Sequence, residues 1–355
     1  MRMIKRASIS KKQSSAIRLM AVFFALIMSG LFILLMGHNP IEVYISMAKG
    51  AFGSIYRIKD TITLTIPLVI TSMGIMIAFK MKFWNIGAEG QILMGGLFAS
   101  YIALNYSFLP KVTLLLLMFI VGFIGGGLWA LIPALLKVKF DTNETIVTLM
   151  MNYIALQWIT FLQYGPWKDP KSMGFPKIAN FSSNAVMPKI LGIHIGWIFA
   201  LLLVAIIYFV FKSTKQGYQI TVVGESKDTA RYSGINVNKV LIIAMIFSGG
   251  LCGITGMMQA SAVNQTLNTQ LAAGYGYTAI ITTWLTGLNP LLIVPVSLLF
   301  AAMTKGGSFI QTAFQIPQSA AQIIQSVILF FVIGSEFFIQ YKLVFSKLLK
   351  KEDMA

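Results

Sequence analysis

The sequence predicts an all-α polytopic membrane protein with about ten transmembrane helices, in a range of about eight to ten. Two observations carry this. Of the 355 residues, 57% are hydrophobic and only 11% charged, against roughly 25% charged in soluble domains. Several runs, among them Ile17–Gly37, Val112–Leu136 and Ile195–Phe211, match the roughly 18–20 apolar residues that cross a bilayer. The whole chain, 1–355, is read as a single transmembrane domain.

Taken in order, residues 1–16 form a basic tail. The run 17–37 follows a basic head but lacks a small-residue cleavage site, so it is read as a first span and not as a removed signal peptide. Residues 38–60 mix polar and apolar positions and predict an interfacial helix on the outer face. Spans are predicted at 61–80, 86–106, 111–137 and 144–163. In the fourth, Gly125-Gly126-Gly127 is read as a site of close helix packing. Residues 164–192, punctuated by Pro166, Pro170, Pro176 and Pro188, predict an irregular external loop. Spans follow at 193–212 and 239–260, separated by a long internal loop at 213–238. Two short segments, 274–288 and 290–305, are either two spans or a re-entrant pair of half-helices. A last span at 318–340 leads to a basic tail at 341–355.

The net charge of +17 is set by membrane orientation. With the N-terminus inside, 19 of the 28 Lys and Arg fall on the cytoplasmic side and nine outside, which places both termini in the cytoplasm. The N-terminal basic tail has no aromatic residue and the C-terminal one only Tyr341 and Phe345, so nucleic acid is not a partner in this reading; the lipid bilayer is. The single Cys252 and the isolated His38 and His194 argue against a metal cluster. No GxxxxGK[ST] phosphate loop occurs, so the chain does not hydrolyse ATP on its own.

The most informative stretch is Phe83-Trp84-Asn85-Ile86-Gly87-Ala88-Glu89-Gly90-Gln91. A carboxylate near bilayer depth costs at least about 2.5–3.5 kcal/mol and is usually paired, cavity-facing or functional. Flanking glycines loosen the helix, which is tolerated where protein or water satisfies the freed backbone. Glu89 therefore has two readings: a polar determinant of a path, or a carboxylate that accepts backbone N–H bonds at a helix break. Trp84, Asn85, Gln91, Tyr275, Tyr277 and Trp284 are candidate path-lining residues; their competing reading is interfacial anchoring of aromatics. The opening of the segment at Ala273–Tyr277 corresponds in position to Asn85–Gly90, which suggests an inverted 5+5 repeat with broken helices.

The internal loop carries the second signal. Ser226 is a candidate N-cap of a short helix over about 227–233, with Gly234 stopping it. Lys227, Asp228 and Arg231 would face outward, leaving Ala230 and Tyr232 to pack. A rigid knob of this kind suits a partner's groove.

FWNIGAEGQILMGG (83–96) and VGESKDTARYSGINVNK (223–239), followed by GYGYTAIITTWLTGLNP (274–290), resemble the membrane permeases of bacterial ABC importers. They are most similar to the nucleoside and simple-sugar branch of the branched-chain amino acid/ribose permease family. The resemblance spans roughly 60–340. It implies that Gly224, Glu225, Ala230, Arg231, Tyr232, Gly234, Ile235 and Asn236 belong to a coupling helix that docks on a separate ATPase. That subunit would hold ATP and Mg, and this chain no cofactor. It further implies a second permease, expected to be a paralogue in a heterodimer, an extracytoplasmic substrate-binding lipoprotein, and a place in the bacterial cell membrane. Thr282-Thr283-Trp284 stands where the family pattern leads one to expect small apolar residues. The function expected is nucleoside import without covalent chemistry. A ribose-like sugar is the alternative, and an ion-coupled secondary transporter a weaker one, since its coupling carboxylates would reduce to Glu89 and Glu336.

Overall fold

The computed structural model describes residues 2–5, 10–172 and 174–344. The chain is mostly helical. Contacts divide it into two compact units, residues 1–61 with 302–355, and residues 62–301. Of the C-terminal tail, residues 345–355 lie outside the described residues, as does the side chain of Glu336.

In the first unit, strand β1 (Arg2–Lys5) pairs antiparallel with β4 (Tyr341–Val344), bringing the two ends of the described chain side by side. Helix α1 (Lys11–Leu35) packs on α13 (Gln318–Gln340). It is followed by α2 (Pro40–Phe52), bent 110° from it. The bend has a local cause: Gly37 takes φ +81°, and Asn39 then caps α2 by accepting the Ile41 N–H at 3.0 Å, with Pro40 at the first helical position. The interfacial helix expected at 38–60 is thus a helix over 40–52. Together α1 and α2 are apolar enough to form one broken span. Ile33, Val43, Ile310 and Ile324 form this unit's buried cluster, and Lys305 pairs with Asp60.

The second unit holds the remaining helices. These are most of α3 (Ile55–Lys80), then α4 (Ala88–Asn105), α5 (Lys111–Phe140), α6 (Glu144–Tyr164), α7 (Gly196–Ser213), α8 (Lys215–Glu225), α9 (Lys227–Tyr232), α10 (Val237–Met258), α11 (Tyr275–Leu285) and the start of α12 (Pro290–Ala313). The hairpin β2 (Lys189–Ile190) and β3 (Ile193–His194) lies before α7. Among the described residues, six helices are long and apolar enough to cross a membrane alone: α3, α5, α6, α7, α10 with its π-helical extension to Asn264, and α12. Helix α11, with 11 residues, is about 16 Å long, half a hydrocarbon core. Helix α12 runs past the expected end at 305 to Ala313, so the pair at 274–305 is one half-length and one full-length helix.

Helix α4 is buried on nearly every side, as befits a helix enclosed by others; α5, α10, α6 and α11 surround it. The close approach of α5 and α10 rests on glycine. A Cβ on Gly126 would stand 2.7 Å from Gly253 Cα and nearer still to the Gly249 carbonyl oxygen. The packing role read into Gly125–Gly127 is borne out. Buried hydroxyls also bind helices together: Thr71 donates to Thr255 at 3.1 Å.

The loop expected at 213–238 is more ordered than its sequence suggests. Helix α8 fills its first half, capped by Thr214, which accepts the Gly217 N–H at 3.2 Å. Its two glycines and mixed polarity conceal it from periodicity. Helix α9 matches the expectation closely. Ser226 accepts the Thr229 N–H at 3.2 Å, and Gly234 takes φ +73° just beyond the end. The loop at 164–192 also packs down on the bundle. Ile178, Phe181 and Met187 are buried, Phe181 N–H donates to the Gln265 carbonyl at 2.8 Å, and Ser261 Oγ donates to the Ala185 carbonyl.

Candidate translocation site

The site begins at the turn between α3 and α4. Residues 81–87 leave the helix, and α4 restarts at Ala88 after Gly87. This extended stretch exposes backbone groups that must be satisfied inside a membrane protein. Side chains do it. Asn152, on α6, accepts the Gly90 N–H at 2.8 Å and donates to the Ile86 carbonyl at 2.9 Å. Thr148 accepts the Ile86 N–H at 3.2 Å. Asn85 and Gln91 are wholly enclosed: their amides pair at 3.1 Å in both directions, and Asn85 also donates to Ser248 of α10 at 3.3 Å.

Glu89 faces the other way. Gly274 N–H donates to one carboxylate oxygen at 2.7 Å, and Gly276 N–H donates to the other at 2.8 Å. The carboxylate therefore sits at the N-termini of two helices, its own α4 and α11, where the helix dipoles favour negative charge. Glycine is required at the partner positions. Gly274 takes φ +79°, and a Cβ on Gly276 would lie 2.5 Å from Glu89 N. The stretches 273–277 and 85–90 correspond in position along the sequence. In the structure Gly274 and Gly276 are direct partners of Glu89.

Beside this junction lies a cavity of about 510 Å³. Its walls include Glu89, Tyr277, Asn152, Tyr153, Gln157, Thr160, Gln163, Tyr164, Thr269 and Gln270. Among the candidates read from the sequence, Glu89 and Tyr277 meet here, with Asn152 Nδ2 3.5 Å from the Tyr277 hydroxyl. Asn85 and Gln91 lie behind the wall. Tyr275 is partly buried at the start of α11, packed against the main core. Trp84 and Trp284 form a stacked pair elsewhere, ring centroids 5.3 Å apart at 27°. The α6 residues were missed. Asn152, Thr160 and Gln163 recur at near-helical spacing within an apolar segment, and that polar stripe was the available signal.

Thr282 and Thr283, which depart from the expected pattern, are fully buried. Thr283 Oγ1 donates to the carbonyls of Ala279 at 2.7 Å and Ser72 at 3.2 Å, tying α11 to α3. The coupling candidates have distinct surroundings. Ala230 is enclosed and Tyr232 is 94% exposed, so only the first of the two packs. Arg231 and Asp228 make an exposed pair at 3.4 Å. Ile235 N–H donates to the Ala230 carbonyl at 2.9 Å, and Asn236 caps α10 by accepting the Lys239 N–H at 3.0 Å. Gly224 packs directly on the Lys80 carbonyl, where a side chain would not fit, and Lys82 donates to the Glu225 carbonyl at 3.4 Å.

Residues 57–333 match the family described as "Branched-chain amino acid transport system / permease component". The chain belongs to this family. It is 30% identical to the glucose ABC transporter permease protein TsgB13 of Haloferax volcanii, over 91% of this chain and 88% of that protein. It is 28% identical to the nucleoside ABC transporter permease protein NupB of Lactococcus lactis, over 97% of both chains. It is also 28% identical to the guanosine ABC transporter permease protein NupP of Bacillus subtilis, over 94% of this chain and 96% of that one. Membership makes the chain a multi-pass membrane transport component and not an enzyme. The polytopic permease reading of the sequence stands.

Proposed function

We propose that the chain is the permease subunit of an ABC importer for nucleosides, with the cavity beside Glu89 as part of its path. The observation that carries this is the near end-to-end similarity to NupB and NupP. The cavity's chemistry agrees: amides, hydroxyls and tyrosine rings can bond and stack on a sugar and a base. Glu89 spends both oxygens on Gly274 and Gly276, so its role is to hold α11 against α4.

The partners proposed are a cytoplasmic ATPase holding ATP and Mg, an extracytoplasmic substrate-binding lipoprotein, and a paralogous permease. Lactococcus lactis and Bacillus subtilis each contribute two related permeases, NupB with NupC and NupP with NupQ, which supports a heterodimer. Helix α9, capped at Ser226 and exposing Tyr232, Asp228 and Arg231, is the proposed ATPase contact. Both termini lie in the cytoplasm of a bacterial cell in this reading. The β1–β4 pairing supports a common side for the two ends, and the distribution of Lys and Arg along the sequence, 19 against nine, supports that side being internal. Ten crossings follow if the turns of 265–274 together with α11 make one of them, helical only in its second half.

The test is uptake of tritiated guanosine by proteoliposomes carrying the full assembly, with glucose and ribose as competitors. ATP-dependent guanosine uptake is expected. Similarity to TsgB13 favours a sugar as the second reading, and glucose uptake without guanosine uptake would establish it. Uptake that follows an ion gradient and persists without the ATPase would reject both. Arg231→Glu and Gly234→Pro should each lower uptake at least about fivefold while the bundle keeps its thermal midpoint. Proline cannot take the φ of +73° at Gly234. Normal coupled uptake by both variants would count against the docking role of α9.

A further inference from the structure

Trp84 and Trp284 are 45% and 43% exposed, high values for tryptophans stacked on each other. Phe79, which is buried, supports both from behind at 5.6 Å. Trp284 lies near the C-terminal end of α11, whose other end is tied to Glu89. Trp284 lies eight positions after Gly276, about 12 Å along the helix axis. Neither ring is among the residues lining the cavity; Trp284 stands about two helical turns beyond Tyr277 of its wall, and Trp84 follows the linker that α8 touches.

Trp84 belongs to the linker after α3, and α8 grips that linker. Gly224 rests on the Lys80 carbonyl without space for a side chain, and Lys82 Nζ reaches the Glu225 carbonyl. Beyond Trp84 the chain is anchored again, by Asn85 to Ser248 and by Ile86 to Thr148. Trp284 follows Thr283, which bonds to Ala279 and to Ser72 of α3. A shift of α8 therefore reaches Trp84 first, through the linker that α8 itself holds.

Building on the importer reading above, we propose that the Trp84–Trp284 contact closes the cavity toward the α9 end, and that the linker Lys80–Asn85 opens it when α8 and α9 move. The two tryptophans are positioning residues of the transport cycle, and Gly224 and Lys82 transmit the movement.

The test uses the full assembly bearing Trp84→Cys and Trp284→Cys, bridged by a short bis-methanethiosulfonate. Cys252, fully buried, stays out of reach of the reagent. Bridging should lower guanosine uptake at least tenfold while ATP hydrolysis continues, and reductant should restore uptake. Each single-cysteine variant, treated alike, should keep its own untreated rate. Uptake at the unbridged rate would overturn the closure. If the double variant does not assemble, the near-UV circular dichroism of the wild-type assembly minus that of Trp284→Phe reports the stacked pair. This difference should fall at least twofold on trapping with ATP and vanadate, and an unchanged difference would overturn the proposal. An unmodified assembly that takes up neither guanosine nor glucose would instead reject the importer reading itself.

Discussion

Glu89→Ala should reduce uptake by more than tenfold, with Glu89→Gln retaining an intermediate rate. The carboxylate gives one oxygen to the Gly274 N–H and the other to the Gly276 N–H. Hydrogen bonds to a charged group contribute about 1.5–3 kcal/mol each, and an orphaned buried donor costs about 1–3 kcal/mol. Alanine removes both acceptors and releases the N-terminus of α11. Glutamine restores one acceptor but turns an NH₂ toward the other N–H, so half of the clamp survives. Uptake and thermal midpoint should be measured together for both variants. Equal loss in both would mean that the negative charge matters more than the bonding pattern, and unchanged uptake in Glu89→Ala would remove the clamp from the transport cycle.

Gly126→Val should prevent stable folding, or lower the thermal midpoint in detergent on the order of 10 °C or more. Its side chain would meet the backbone of α10 at Gly249 and Gly253, and backbone cannot rotate aside as a side chain can. Separating α5 from α10 also uncovers α4, which both helices cover. Gly307→Ala is the matched control. Its nearest neighbour, Ala321 Cβ, is 3.7 Å away, so the midpoint should be unchanged or slightly higher, since alanine favours helix. A Gly126→Val protein as stable as that control would show that the two helices are not held by this contact.

Features written in local chemistry were legible from the sequence. Helix α9 was readable because its cap, Ser226, and its stop, Gly234, lie within nine positions of each other. The glycine triplet of α5 was readable because membrane helices approach closely through small residues. Helix α8 was not, since Gly217 and Gly224 blur its pattern and their purpose lies in contacts with Val210 and Lys80. The site was legible in part. That Glu89 accepts backbone N–H bonds was one of its two readings, but their donors lie 185 and 187 residues away. Asn152 went unnoticed because its worth lies in Gly90 and Ile86, both more than 60 residues distant. Asn85 and Gln91, taken as candidates for the path, make their bonds to each other and to Ser248.

The span between Glu89 and its donors has a consequence for biosynthesis. At about 5–20 residues per second, the ribosome needs on the order of 10–40 s to reach Gly274 after Glu89 has been made. Throughout that interval the nascent chain carries an acidic group destined for the bundle interior without the glycines that will hold it. Until the second half of the protein arrives Glu89 lacks these bonds, so the carboxylate is expected to stay hydrated or shielded by the insertion machinery in the meantime. A truncated chain ending before Gly274 should accordingly be released into lipid more slowly than the same truncation carrying Glu89→Ala.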